Sequence, residues 1–138
     1  MPRCSATRRV HFNAAHRLHN PAQSAEWNRA TFGPCNNPNY HGHNYELDVT
    51  VEGEIAPDTG YVLDLNILKR AVEERVLQHL DHKNLNLDVA WFRELNPTSE
   101  NLAVVIWREL RAALDPALDL RIRLWETPRN YVDYAGQA

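Results

Sequence analysis

The stretch HGHNYELDVTVE, residues 41–52, puts Tyr45, Leu47, Val49 and Val51 on one face and Glu46, Asp48, Thr50 and Glu52 on the other. A period of two with one apolar side is the pattern of a strand buried on one face. Carried back along the strand, the same parity places His41 and His43 on the apolar face. Two imidazoles separated by one residue of a strand point the same way, which suits a single metal ion.

Working outward, Val10, Phe12 and Ala14 alternate with His11 and Asn13, and His16 shares the apolar parity. Residues 19–39 are polar and Pro/Asn-bearing, so an excursion from the core is expected there. Beyond the quoted strand, APDTGY (56–61) has turn chemistry, and Tyr61 to Leu63 are expected to return as a short strand. Asp64 is placed to cap a helix over about 65–79, with Leu65, Leu68, Val72, Val76 and Leu80 as its apolar stripe.

A second helix is expected to begin near Thr98 or Ser99, just after Pro97, and carries Leu102, Val105, Ile106, Leu110 and Ala113 at helical spacing. Leu120, Ile122 and Leu124 alternate with Arg121 and Arg123 in a further strand, whose apolar parity extends to Glu126. The TPRN turn leads to a last strand around Tyr131–Tyr134. This order predicts one α+β domain over residues 1–138: an antiparallel sheet with two helices on one face.

The 138 residues suffice to bury a core without staples. A formal net charge of −3 gives no nucleic-acid or membrane-binding surface, and no apolar run approaches the roughly 20 residues of a bilayer span. The basic N-terminal stretch lacks the apolar segment of a secretory signal, and Cys4 and Cys35 make no disulfide framework. A cytoplasmic protein is expected.

Four polar side chains on core-facing parity need partners, since unpaired burial is costly. His16, His41 and His43 together suit zinc in the open arrangement that leaves a position for water or substrate; separately hydrogen-bonded histidines would account for the same pattern. Cys35 can be a fourth ligand closing a structural site, a thiol whose acidity rises beside a metal, or a small apolar residue in a turn. In Asp81–His82 a carboxylate sits beside an imidazole whose tautomer it can fix; a capped turn with a solvated histidine is the simpler account. Glu126 can pair with Arg129 or accept two parallel N–H bonds from an amidine-like ligand edge. His11, His19 and His79 read as surface histidines.

Taken together, FNAAHRLHNP, FGPCNNPNYHGHNYELDVTVEGEIAPDTGYV, LDHKNLNLDV, PTSENLAVVIW and WETPRN resemble the 6-pyruvoyl-/6-carboxy-tetrahydropterin synthase family of tunnelling pterin-binding folds, from about Val10 to Gly136. The resemblance implies zinc on His16, His41 and His43, a catalytic set of Cys35, Asp81 and His82, and a pterin ring anchored by Glu126 with Thr98, Ser99 and Glu100 nearby. It implies 7,8-dihydroneopterin triphosphate as substrate and loss of triphosphate with an internal redox rearrangement that needs no nicotinamide or flavin. It further implies trimers that close a β-barrel and stack into homohexamers, with active sites between subunits.

Two positions depart from the family pattern: Pro34, where many relatives have lysine, and Tyr40, where animal members have glycine. Within the family the alternative product is 6-carboxy-tetrahydropterin, formed with release of acetaldehyde toward queuosine-type compounds. The longer Cys35-to-His41 spacing points to the pyruvoyl branch. An aldolase-like relative acting on dihydroneopterin, and a non-catalytic zinc- or pterin-binding protein, are the other readings.

Overall fold

A computed structural model describes all 138 residues. Strand β1 (Arg3–His16) and strand β2 (His41–Glu54) form a long antiparallel ladder from Arg3↔Glu54 to His16↔His41. The register sets Val10 opposite Leu47, and Phe12 opposite Tyr45 with the two rings stacked 4.9 Å apart. Both strands keep the same inward parity, so one side of this ribbon is apolar from Val10 and Leu47 to Phe12 and Tyr45, with Arg8, opposite Val49, the charged exception on that side. Strand β4 (Asp119–Thr127) extends the ladder beyond β2, and β5 (Asn130–Tyr134) closes it as a hairpin.

The opposite edge differs from the expected purely antiparallel sheet. A two-residue strand β3 (Lys83–Asn84) pairs parallel to β1 at Ala14 and Ala15, giving one mixed sheet of order β3-β1-β2-β4-β5. The bond from His82 N–H to the Asn13 carbonyl, 2.7 Å, pulls the segment onto that edge.

Helix α1 (Ala25–Phe32) and a 3₁₀ turn (Gly33–Asn36) occupy the excursion between β1 and β2, which therefore holds more regular structure than expected. Ser24 caps α1 by accepting from Trp27 N–H. Helix α2 (Leu65–Val72), capped by Asp64, runs through a π-helical turn (Glu73–Leu77) into α3 (Gln78–Leu80). Tyr61 to Leu63 form a bend rather than a strand, and Leu65, expected in the apolar stripe, is exposed. A short helix α4 (Leu85–Asp88) and a 3₁₀ turn (Ala90–Phe92) precede α5 (Ser99–Ala113), whose N-cap is Thr98.

Leu68, Val72 and Val76 of the first helical run and Leu102, Ile106 and Leu110 of α5 join Phe12, Tyr45, Leu47, Val49, Ile122 and Leu124 of the sheet in one core. The helices thus cover one face, as expected. The other face carries ion pairs such as Arg9–Asp48 and Arg123–Asp133. His16, His41, His43 and Glu126 are where the apolar parity runs out at one end of this sheet.

Candidate active site

His16 closes β1 directly opposite His41, and His43 lies two residues along the same face. Their ring centroids are 4.6–5.1 Å apart, and one ligand atom from each can be chosen so that all lie within 4.8 Å of one another. Strand alternation is the reason: two rings from one strand and one from its neighbour converge without any loop having to be ordered around them.

His16 is 1% exposed, and its Nδ1 donates to the Pro97 carbonyl at 2.7 Å. A carbonyl only accepts, so Nδ1 carries the proton and Nε2 keeps a lone pair. That Nε2, both ring nitrogens of His41 and Nε2 of His43 are buried without any hydrogen-bond partner. Burial holds the His16 and His41 imidazoles below their ordinary titration range, and the neighbouring histidines add to the effect. Convergent, orphaned nitrogen donors are the set a divalent cation of intermediate softness requires, so the residues present fit a metal ion.

Glu126, near the end of β4, borders the cluster. Its Oε1 lies 3.7 Å from His43 Nε2, and its Oε2 accepts from Ser99 Oγ at 2.6 Å. Arg129, the partner considered for it, forms no ion pair with it. Ser99 is the first residue of α5, so the carboxylate bridges the helix start and the histidine cluster. Thr98, Ser99 and Glu100 line a cleft of about 370 Å³ with Glu126, Asn130 and Tyr131. Thr98 itself is engaged as a cap, accepting from Asn101 N–H.

Cys35 is a free, half-buried thiol in the 3₁₀ turn and is not one of the residues in the close metal-ligating group. Burial and the Glu126 carboxylate push this thiol up from its ordinary value. The polypeptide by itself therefore favours the neutral thiol; a cation in the histidine cluster would supply the opposite field, the condition on which greater acidity is expected.

Asp81 and His82 follow α3. Asp81 Oδ1 accepts from Asn13 N–H at 3.0 Å and lies 3.0 Å from His82 Nδ1. The Asn13 bond, then His82, holds the Asp81 carboxyl below the usual range. His82 has a left-handed backbone (φ 61°), and its side chain is 78% exposed. It borders a cleft with Asn13, Gly42, His43 and Asn44 that does not include Cys35. One chain thus unites the three histidines with Glu126 and Ser99, whereas Cys35 and Asp81–His82 share no hydrogen bond and no such cleft.

Tyr40 also adopts a left-handed conformation (φ 66°), the region in which glycine carries no Cβ penalty. His19 and His79 are less free than expected: His19 Nδ1 meets Asn36 at 3.0 Å, and His79 packs 4.9 Å from Trp91.

The fold and site define an α+β protein with a three-imidazole cluster able to hold a metal ion, beside an acidic, hydroxyl-lined cleft. Residues 5–137 match the family "6-pyruvoyl tetrahydropterin synthase", and the chain belongs to that enzyme family. It is 47% identical over 137 residues to the human 6-pyruvoyl tetrahydrobiopterin synthase, covering 98% of this chain and 94% of the relative. It superposes on the Caenorhabditis elegans 6-pyruvoyl tetrahydropterin synthase structure with a TM-score of 0.94 at 40% identity, covering 99% and 98% of the two chains. Identity to the 6-carboxy-5,6,7,8-tetrahydropterin synthase of Bacillus subtilis is lower, 30% over 131 residues, covering 91% of this chain and 80% of the relative.

Proposed function

We propose that this chain is a 6-pyruvoyl-tetrahydropterin synthase, a carbon–oxygen lyase that takes 7,8-dihydroneopterin triphosphate, expels inorganic triphosphate and redistributes oxidation state within the substrate. The observation that carries this reading is the juxtaposition of Glu126 with the orphaned nitrogens of His16, His41 and His43. A carboxylate able to accept two parallel N–H bonds stands beside a metal-binding cluster, as recognition of an aminopyrimidine edge next to a reacting hydroxyalkyl chain requires.

His16, His41 and His43 would hold zinc in this reading. When bound, the ion supplies Lewis-acid polarisation that acidifies the adjacent carbon-bound hydrogens. Glu126 fixes the ring, with Ser99 orienting its carboxylate, and Thr98 and Glu100 shape the cleft wall. Cys35 takes a carbon-bound proton, and His82, oriented by Asp81, returns one on the other face. The oxidation of one side-chain carbon balances the reduction of the ring, so no external oxidant or reductant enters.

The separation of Cys35 from Asp81–His82 in one chain supports a site completed by a second copy, in trimers that close a barrel and pair into hexamers. A cytoplasmic location accords with the absence of any helix long and apolar enough to cross a membrane.

The experiment is to incubate the zinc-loaded protein with 7,8-dihydroneopterin triphosphate and identify the products. Triphosphate with 6-pyruvoyl-tetrahydropterin is expected. Acetaldehyde with the 6-carboxy product would replace this reading by its alternative, and absence of turnover would leave a zinc- or pterin-binding protein.

A further inference from the structure

The turn bearing Cys35 is fastened by polar contacts that neither the core nor the histidine cluster requires. Asn36 is 6% exposed; its Nδ2 donates to the Leu18 carbonyl at 2.7 Å and to His19 Nδ1 at 3.0 Å. Its backbone carbonyl accepts from Arg17 Nε at 3.0 Å, and the Cys35 carbonyl accepts from Leu18 N–H at 2.9 Å. Two consecutive residues of the 3₁₀ turn are therefore pinned to the three residues that follow His16. Arg17 is itself held through both its backbone polar groups by the Asn86 side chain, at 2.8 and 2.9 Å.

A second buried asparagine shows what an ordinary loop brace looks like. Asn28 contacts Asn20, Gln23 and Ser24, all within its own loop. Asn36 instead reaches back onto the strand end that carries His16. Both of its amide hydrogens are used, one on a carbonyl and one on an imidazole nitrogen. A carboxylate of the same shape has no hydrogen to give to either acceptor.

We propose that Asn36 is a positioning residue for Cys35: its amide, assisted by Arg17, fixes the thiol relative to His16, His41 and His43. The proposal rests on the reading of Cys35 as the proton-transfer group. A thiol that must reach one carbon-bound proton tolerates little displacement, and a misplacement of about 1 Å costs on the order of 10²-fold in rate. Glu126, which fixes the ring in this reading, stands on β4 and makes no hydrogen bond to this turn.

The test is Asn36→Asp, nearly isosteric but without the two donors. Metal content, KM, kcat and the rate of Cys35 alkylation by iodoacetamide are measured, with exposed Cys4 distinguished by peptide mass mapping. The expected result is full metal content, KM within about twofold, kcat lowered about 10- to 100-fold and Cys35 alkylated several-fold faster as the turn loosens. Unchanged kcat and alkylation in a folded variant would overturn the proposal, as would a fall in kcat that tracks metal loss. If Asn36→Asp does not fold, Arg17→Met, which removes the side-chain donor to the Asn36 carbonyl and keeps the backbone bonds to Asn86, is judged by the same criteria. Should the unsubstituted protein turn nothing over, the proposed reaction fails, while the alkylation rates still decide whether Asn36 places the thiol.

Discussion

Ser99 donates a 2.6 Å hydrogen bond to Glu126, joining the start of α5 to the end of β4 across the cleft beside the histidines. The bond leaves the carboxylate oriented but not neutralised, and its other oxygen points toward His43. Glu126→Gln keeps the shape, removes the charge and gives the ligand a donor where it needs an acceptor. The loss of a charge-assisted hydrogen bond, about 1.5–3 kcal/mol, predicts a fall in kcat/KM of about 10- to 150-fold, carried mainly by KM. Ser99→Ala should act in the same direction and less strongly. Steady-state kinetics on the proposed substrate check both, and an unchanged KM in Glu126→Gln would remove the ring-anchoring role.

The orphaned imidazoles make a second prediction that needs no substrate. His41 has no hydrogen-bond partner at either nitrogen, so His41→Ala removes a candidate ligand without breaking a hydrogen bond of the polypeptide. Elemental analysis should show loss of bound metal. Zinc present at about 100 times its dissociation constant should stabilise the unsubstituted protein by about 2.7 kcal/mol, and that increment should vanish in the variant. His16→Ala should lose metal as well but also lower the metal-free melting temperature, because it strips the Pro97 carbonyl of its donor. Retention of stoichiometric zinc by His41→Ala would be incompatible with the cluster as the metal site.

The parts of this arrangement legible in the sequence are those fixed by local periodicity. Alternation along residues 41–52 sets the face of His43 as firmly as that of Leu47, and the same logic places His16 and Glu126. Thr98 as the cap of α5 follows from side-chain chemistry at a helix start. What the pattern does not contain is pairing between distant segments. The parallel strand β3 exists because Asp81 and His82 both bond to Asn13, and no periodicity of a two-residue strand announces that. Helix α1 is short and polar, so its apolar signal is weak; Ser24 ahead of Trp27 was the available clue. Leu65 sits on the right helical spacing yet is exposed, since spacing alone does not say where a helix leaves the sheet. The state of Cys35 depends on burial and on Glu126, which is 91 residues away in the chain and adjacent only in the fold.

Acid stability should reflect the ion pair on the open face of the sheet. Arg9 donates from Nε and Nη2 to the two oxygens of Asp48, at 2.6 and 2.9 Å, and holds that carboxyl below its ordinary value. The folded chain therefore takes up this proton at lower pH than the unfolded chain does. The stabilisation is present above the unfolded carboxylate value of about 3.9 and is lost as the pH falls through the lower folded value. Asp48→Asn should melt at a lower temperature than the unsubstituted protein at pH 7, and the difference should shrink steadily below about pH 4. Thermal unfolding across that range measures it; a constant difference would mean that Asp48 acts through packing rather than charge.

The placement of Cys35 and His82 within one chain predicts a complementation experiment. The Glu126 carboxylate acts on the Cys35 thiol, whereas exposed His82 borders a cleft on the β3 edge that does not include Cys35. In the assembly proposed above, the imidazole that acts with a given Cys35 comes from a neighbouring copy. Cys35→Ala and His82→Ala should then each be inactive alone while retaining metal. Mixing them after reversible dissociation should restore activity, because some interfaces pair an intact Cys35 with an intact His82. For random assembly at equal amounts, one neighbour must be of each kind in the right order, so recovery should approach about a quarter of the unsubstituted activity. Co-assembly is confirmed by tagging one variant and recovering the other with it. Hybrid assemblies that form yet remain inactive would place both groups in a single-chain site or remove one of them from the reaction.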